Sequence, residues 1–403
     1  MEPMDKPADI RQRPAQIFRR FLRFGCLAWG GPVAQIAMLR QELVEEEKWV
    51  SSERFNRALA VYQVLPGPEA HELCVWFGMI AGGRTGGFLA GLGFMLPGFL
   101  LMLALTWFYL SFGIGSPVLQ AVFTGFQSAV IALIFSAVHR IGKHILVKGS
   151  LITLALLSAL ATFCGTGFIP VLAVAGITNA LWMTGRRIAG AVIAILLTAY
   201  CTWSFSPGMF SNLSPATTTL EVNLESGSSL GSVFLTGLKG GLLTFGGAYT
   251  VIPFIQQDAV ICHGWMSNEQ FLDGIALSGM LPAPLIIFST FVGYFGAGWS
   301  GAFIITLAIF LPAFCFTLIG HRVIESVIEN NSLHHFLDGI AAGVTGLIAV
   351  TAIQLFQPTI NGWSNFIIFI AALFVVYQVK TKFTAAFVIL GAGVISLLYY
   401  LIF

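Results

Sequence analysis

Glu69, His71 and Glu72 follow Pro66-Gly67-Pro68 directly inside an otherwise apolar run, VLPGPEAHELCVWFGMIA. Charge is costly away from water, so ionisable groups in such a setting are a functional signal by default. Two carboxyls and an imidazole this close together can take up and release protons. The prolines matter as well. Proline suits the first helical turn, where its missing N–H is not needed. A helix restarting after Pro68 therefore presents the N–H groups of Glu69, Ala70 and His71. Such an end carries roughly +0.5 charge and favours anions. Glu69 would repel an anion held there unless it were protonated, which would couple the two. A water-filled vestibule or a helix cap is the plainer alternative.

The surroundings of this cluster occur twice. The stretch FLRFGCLAWGGPVAQIAMLRQELVEEEKWVSSERFNRALAVYQVLPGP, from Phe21, returns 216 residues later as LTGLKGGLLTFGGAYTVIPFIQQDAVICHGWMSNEQFLDGIALSGMLPAP. Gly30-Gly31 matches Gly246-Gly247, and Pro66-Gly67-Pro68 matches Pro282-Ala283-Pro284. Trp49 matches Trp265, and Ser51 matches Ser267. Charge repeats too: Arg23 with Lys239, and Glu42 with Asp258. Each copy thus holds two apolar helices broken by Gly-Gly or Pro-x-Pro. In hydrocarbon an unpaired backbone group costs several kcal/mol. Breaks persist only where protein, water or a ligand satisfies them, and paired breaks in two halves point to a transporter's central site. The predicted substrate-binding set is Arg23, Gly30, Gly31, Pro66, Gly67, Pro68, Lys239, Gly246, Gly247, Pro282 and Pro284. The predicted proton-coupling set is Glu42, Glu69, His71, Glu72 and Asp258. Close helix packing at the glycines, simple proline kinks, and snorkelling of Arg23 beside Arg19 and Arg20 are the competing readings.

Composition sets the medium. The chain is 57% hydrophobic and 9% charged, with mean hydropathy +0.85; soluble domains are nearer a quarter charged. Apolar runs of span length fill most of the sequence after Phe21, so an all-α polytopic membrane protein is expected, with the lipid bilayer as its medium. A net charge of +2 and no basic tail give no reason to expect a nucleic-acid partner. The six cysteines have no CxxC spacing and read as small residues in apolar helices. No HExxH or repeated acidic motif is present, so neither an enzyme nor a cofactor or metal is expected. His334-His335 reads as a solvated pair on a polar turn.

Four segments follow: a polar tail over 1–16, a first domain over 17–205, a Ser/Thr/Pro/Gly-rich linker over 206–232, and a second domain over 233–403. Each break counted as part of a crossing gives seven crossings in the first half and six in the second, or 12–13 segments. An odd first half makes the copies inverted, provided that 151–183 forms two crossings. Re-entrant hairpins at the breaks would leave the sense of the later crossings unchanged. Pro97 is expected to kink its span. Basic residues such as Arg11, Arg140, Lys143, Arg186 and Lys380 gather on the side of the N-terminus, which marks that side as cytoplasmic.

The segments FGCLAWGGPVAQIAMLRQELVEEEKWVSSERF and LPGPEAHELCVWFGMIAGGRTGGFLAGLGFMLPGF resemble the first domain of the chromate ion transporter (CHR) family, long-chain type. LKGGLLTFGGAYTVIPFIQQDAVICHGWMSNEQFLDGIALSGMLPAPLIIFSTFVGYFGAG resembles the second. The resemblance implies a cell-membrane transporter exporting chromate, coupled to the proton gradient, with relatives that move sulfate or other oxyanions. Sulfate uptake and an anion channel remain as alternatives, and a homodimer is left open. Ala283 departs from the family's second Pro-Gly-Pro. Alanine does not easily take positive φ, and if close backbone approach at that tip selects the substrate, Ala283 puts the substrate in question.

Overall fold

The computed structural model describes residues 11–63, 65–113, 116–204, 229–245, 247–328 and 331–402. The expected linker falls largely outside them. Among the described residues the chain is helical, with no strand. The first repeat holds α1 (Pro14–Cys26), α2 (Gly31–Leu39) running into a wide π-type turn at Arg40–Glu46, and α3 (Ser52–Tyr62). It continues with α4 (Glu69–Phe108), α5 (Pro117–Ile145), α6 (Gly149–Phe163) and α7 (Phe168–Met183). Helix α8 (Arg187–Ser204) stands between the repeats. The second repeat holds α9 (Leu230–Leu242), α10 (Ile252–Gln256) with its own π-type turn at Gln257–Cys262, and α11 (Asn268–Gly279). It ends with α12 (Phe288–Ile328), α13 (Asn331–Thr359), α14 (Trp363–Gln378) and α15 (Thr384–Ile402). Helix α1 begins within the stretch read as a tail, at Pro14. Cys26, Cys74, Cys262 and Cys315 are free thiols.

The repeated residues do the same local work in both copies. The Ser51 hydroxyl caps α3 by accepting from the Arg54 N–H at 3.3 Å. The Ser267 hydroxyl caps α11 by accepting from the Gln270 N–H at 3.2 Å, while the Gln270 side chain accepts from the Ser267 N–H at 2.9 Å. A cap of this kind contributes about 1 kcal/mol.

The broken elements turn back on themselves, which corrects the reading of each as part of a single crossing. Arg20 pairs with Glu47 and Arg23 with Glu42, so the segment after Gly30-Gly31 returns antiparallel along α1. Helix α3 lies along the start of α4, where Phe55 stacks on Phe77 with centroids 6.1 Å apart and Tyr62 lies beside Glu72. Helix α4 itself is a hairpin. Gly82 (φ −152°, ψ 22°) and Gly83 (φ 63°, ψ −157°) break it, and Gly78 then packs on Gly86 and Ala90 in the returning arm. Helix α12 repeats the device at Ala297 (φ −155°) and Gly298 (φ 59°), with Gly293 on Gly301. Pro97 lies inside the returning arm, and the backbone of α4 leaves helical geometry at Gly82-Gly83.

The copies are inverted. The second arms of α4 and α12 run antiparallel: Gly87 meets Leu318 and Gly91 meets Phe314. Phe88 touches Phe314 and Phe99 touches Phe303, at 5.5 and 6.2 Å between centroids. These two pairs exchange under the repeat offset, as a two-fold axis across the helices requires. Helices α6 and α7 pass α13 in opposite senses: Ala342 clusters with Leu151 and Leu154, and Gly346 meets Ala155. Gly339 meets Asn179, and Gly343 meets Leu172. The stretch 151–183 is therefore two helices of opposite direction, the condition that inversion needed.

Candidate functional site

The Pro66-Gly67-Pro68 tip closes the hairpin of α3 and α4 and enters the other repeat. The Gly67 N–H donates to the Thr244 carbonyl at 2.9 Å. Thr244 lies just before the second Gly-Gly break, so the two kinds of interruption meet across the halves. Gly67 has φ +147°, which a side chain rarely adopts, and a Cβ there would lie 3.0 Å from Glu72 Oε1 and 3.5 Å from Ala313 Cβ. The Pro282-Ala283-Pro284 tip does the reciprocal thing. Ala283 packs on Gly98, where an added Cβ would lie 2.5 Å from the Ala283 methyl. Tip glycine meets arm alanine on one side, and tip alanine meets arm glycine on the other. Lys48 is the described non-glycine residue with positive φ, so Ala283 keeps negative φ. The second tip is a different turn, and its alanine carries no strain.

The second Gly-Gly break is held locally. The Thr250 hydroxyl donates to the Gly247 carbonyl at 2.7 Å and accepts from the Phe245 N–H at 3.1 Å. Gly247 has φ 132°. Gly246 lies outside the described residues. The first break, Gly30 (φ 89°) and Gly31 (φ 74°), does not make the equivalent contact. Gly30 lies against the Lys382 backbone, Trp29 packs on Phe383 at 5.4 Å, and the Ala28 carbonyl accepts from Gln35 Nε2 at 2.9 Å. Three of the four predicted breaks are thus joined through the two repeats' tips and arms, and Gly30-Gly31 contacts the loop before α15.

Both duplicated cations have carboxylate partners within their own repeat. Arg23 Nη2 is 2.8 Å from Glu42 Oε2, and Lys239 Nζ is 3.0 Å from Asp258 Oδ2. Thr236 also donates to Asp258 Oδ2, at 3.0 Å. These pairs fasten each α1- or α9-type helix to its returning segment. The Asp258 side chain is 7% exposed and that of Lys239 40%, so the carboxylate is the costlier group to strand. We expect Lys239→Ala to lower stability by about 1–2 kcal/mol, the half-exposed lysine discounting the larger cost of a buried pair. The Lys239→Ala, Asp258→Ala double variant should recover most of that, read from thermal unfolding in detergent.

Glu69, His71 and Glu72 are all buried at the start of α4. The His71 and Glu72 N–H groups bond to the Pro68 carbonyl at 2.8 and 3.1 Å. That leaves the N–H groups of Glu69 and Ala70 without an intrahelical acceptor, so the expected donor set loses His71. The His71 ring packs between Phe310 and Phe314 of the other repeat, 4.8 and 4.7 Å between centroids. Both Glu72 oxygens lack a hydrogen-bond partner among the described residues, whereas the His71 ring lies within reach of the Gly91 backbone and the Thr317 hydroxyl within reach of Tyr62. Buried polar atoms are nearly always satisfied, so the unpartnered Glu72 carboxyl is the exception at this inter-repeat junction.

Sequence reasoning missed one further buried acid. Asp273 on α11 accepts from Tyr109 Oη at 2.8 Å and from Gln127 Nε2 at 2.9 Å, both from the first repeat. Its setting, Phe271-Leu272-Asp273-Gly274-Ile275, was the available signal. Among the described residues no group of three or more His, Cys, Asp or Glu side chains is arranged to hold a metal ion.

Comparison with known proteins agrees with this architecture. The chromate transporter family model matches twice, over residues 15–182 and 231–397, which are the two repeats. A chromate transport protein of Pseudomonas aeruginosa is 51% identical over 386 residues, covering 94% of this chain and 90% of that protein. A probable chromate transport protein of Synechococcus elongatus is 28% identical over 395 residues, covering 96% and 95%. A chromate transport protein of Cupriavidus metallidurans is 28% identical over 392 residues, covering 96% and 93%. No solved structure matches. Double repeat, apolar helices and these relatives together show that the chain belongs to the chromate transporter family, whose members are integral membrane transporters and not enzymes.

Proposed function

We propose that this chain is a proton-coupled secondary transporter that exports chromate, or a similar divalent oxyanion, across the cell membrane, with its N-terminus in the cytoplasm. The main support is the Gly67 N–H bond to Thr244 beside the unpartnered Glu72. It puts a helix N-terminus, a backbone break and a buried carboxyl at one inter-repeat junction. The substrate is named from the printed descriptions of the relatives, chromate transport proteins in P. aeruginosa and C. metallidurans. The anion rests between the two tips, against the free N–H groups of Glu69 and Ala70, with Pro66, Gly67, Pro68, Gly247, Pro282 and Pro284 shaping the space. Two negative charges in a site of low polarity repel strongly, so Glu72 is neutral while the oxyanion is held and gives up its proton when the anion leaves. The basic residues near the N-terminal side support the orientation.

Reconstituted vesicles test this directly. An imposed pH step is expected to drive labelled chromate uptake at least tenfold above the rate without a step, with a protonophore abolishing the difference. Sulfate and molybdate are run alongside. Chromate flux indifferent to the gradient would make the protein a channel, and faster sulfate flux would reassign the substrate.

A further inference from the structure

The two inverted repeats hold different postures. Helix α11 is seated on α5 of the first repeat, with Leu272, Asp273, Ile275 and Ala276 buried. Tyr109 and Gln127 clasp its carboxylate there. Symmetry assigns α3 an equivalent seat on α13, which spans the positions of α5 shifted by 214 residues at both ends. Helix α3 does not take it. Its buried residues are Phe55 and Tyr62, on the face toward α4, while Arg54, Asn56, Arg57 and Gln63 are exposed. Arg57 occupies the position of Asp273, its side chain 75% exposed and 3.5 Å from Glu53. The position of Gln127 on α13 is held by Ala341, which offers no such clasp. The main chain shows the same asymmetry. The Gly67 N–H reaches Thr244, whereas the Ala283 N–H bonds to Leu281 within its own turn at 2.9 Å. The Ala28 carbonyl, the counterpart of Thr244, is taken by Gln35.

Helix α3 descends to the Pro66 tip, and a guanidinium and two amides on one helix face do not border hydrocarbon. That face therefore borders water, and its arginines attract anions along it. We propose that Arg57 and Asp273 are the gate positions of two access paths to the central junction, one open along α3 and one shut by the clasp of Asp273 on Tyr109 and Gln127. Opening the second path requires α11 to leave α5 as a unit, and closing the first brings α3 onto α13. The inference rests on the transport reading above and adds to it which residues control access from each face.

Cysteine labelling in membranes tests it. Cys26, Cys262 and Cys315 are exposed, so the host chain has its six native cysteines replaced and is required to match the wild type in yield and monodispersity. Asn56→Cys and Leu272→Cys are then each labelled with a membrane-impermeant maleimide in right-side-out and inside-out vesicles. Asn56→Cys is expected to react from one face only. Leu272→Cys is expected to react at least tenfold more slowly from either face. Adding Tyr109→Phe, or Asp273→Ala, should raise the Leu272→Cys rate at least tenfold, and from the face opposite to that of Asn56→Cys. The proposal is overturned if Asn56→Cys is inert from both faces, or if Leu272→Cys matches it without the clasp variants. It is equally overturned if well-folded clasp variants leave Leu272→Cys slow or expose it to the same face. Labelling does not depend on which anion is carried, so a failure of the chromate reading leaves this test standing.

Discussion

Gly98→Ala abolishes transport and Ala283→Gly restores it: this is the result expected from the reciprocal seats of the two tips. A methyl at position 98 would sit 2.5 Å from the Ala283 methyl, well inside contact distance. Overfilling a packed site of this kind costs about 1–3 kcal/mol, and here the strain falls where the second tip meets α4. The tip would be pushed out of register with Pro97-Gly98, and the junction would lose one wall. Ala283→Gly removes the offending carbon and leaves the pair in the arrangement that Gly67 and Ala313 already use on the other side. Chromate accumulation in cells at matched expression reads the outcome. Gly98→Ala should resemble a strain without the transporter, and the double variant should return to within about threefold of wild type. A double variant as inactive as the single one would mean that residue 98 acts through something other than its contact with residue 283.

Glu72→Leu is expected to fold better and transport worse. Both carboxyl oxygens are buried without a hydrogen-bond partner, and leaving a polar group so placed costs about 1–3 kcal/mol. The equivalent position in the second repeat is Phe288, fully buried in the matching helix, so the hairpin geometry accepts an apolar residue there. Removing the carboxyl should therefore raise the unfolding temperature in detergent. If Glu72 carries the coupled proton, the same change should lower gradient-driven chromate flux at least a hundredfold, with Glu72→Gln nearly as inactive. A Glu72→Gln protein with normal gradient-driven flux would remove Glu72 from the proton path and leave His71 and Glu69 as the remaining candidates.

Much of this could be read from residues alone, for identifiable reasons. The repeat was legible because its turns depend on residues with little freedom to vary: Gly-Gly, Pro-x-Pro and the Ser51 and Ser267 caps. Both ends of α9 accordingly fall 216 residues after those of α1. Direction of travel at the breaks was not legible. Gly82-Gly83 lies inside an apolar run, and hydropathy is the same whether the chain bends slightly there or reverses. The ion pairs were half visible. Arg23 with Glu42 and Lys239 with Asp258 share a spacing of nineteen residues, yet only the fold shows that they meet. Asp273 escaped because a search for duplicated charge finds Arg57 in its place. Its partners, Tyr109 and Gln127, come from the other repeat, 164 and 146 residues away.

The hydrogen bond from Gly67 to Thr244 has a consequence for how the chain can be divided. A polypeptide severed between residues 204 and 229 yields one fragment with an amide donor and another with the carbonyl that receives it. Neither fragment can complete the junction by itself, and two identical first fragments would set glycine against glycine where the intact molecule fits a methyl. Severed pieces should regain activity only when synthesised together.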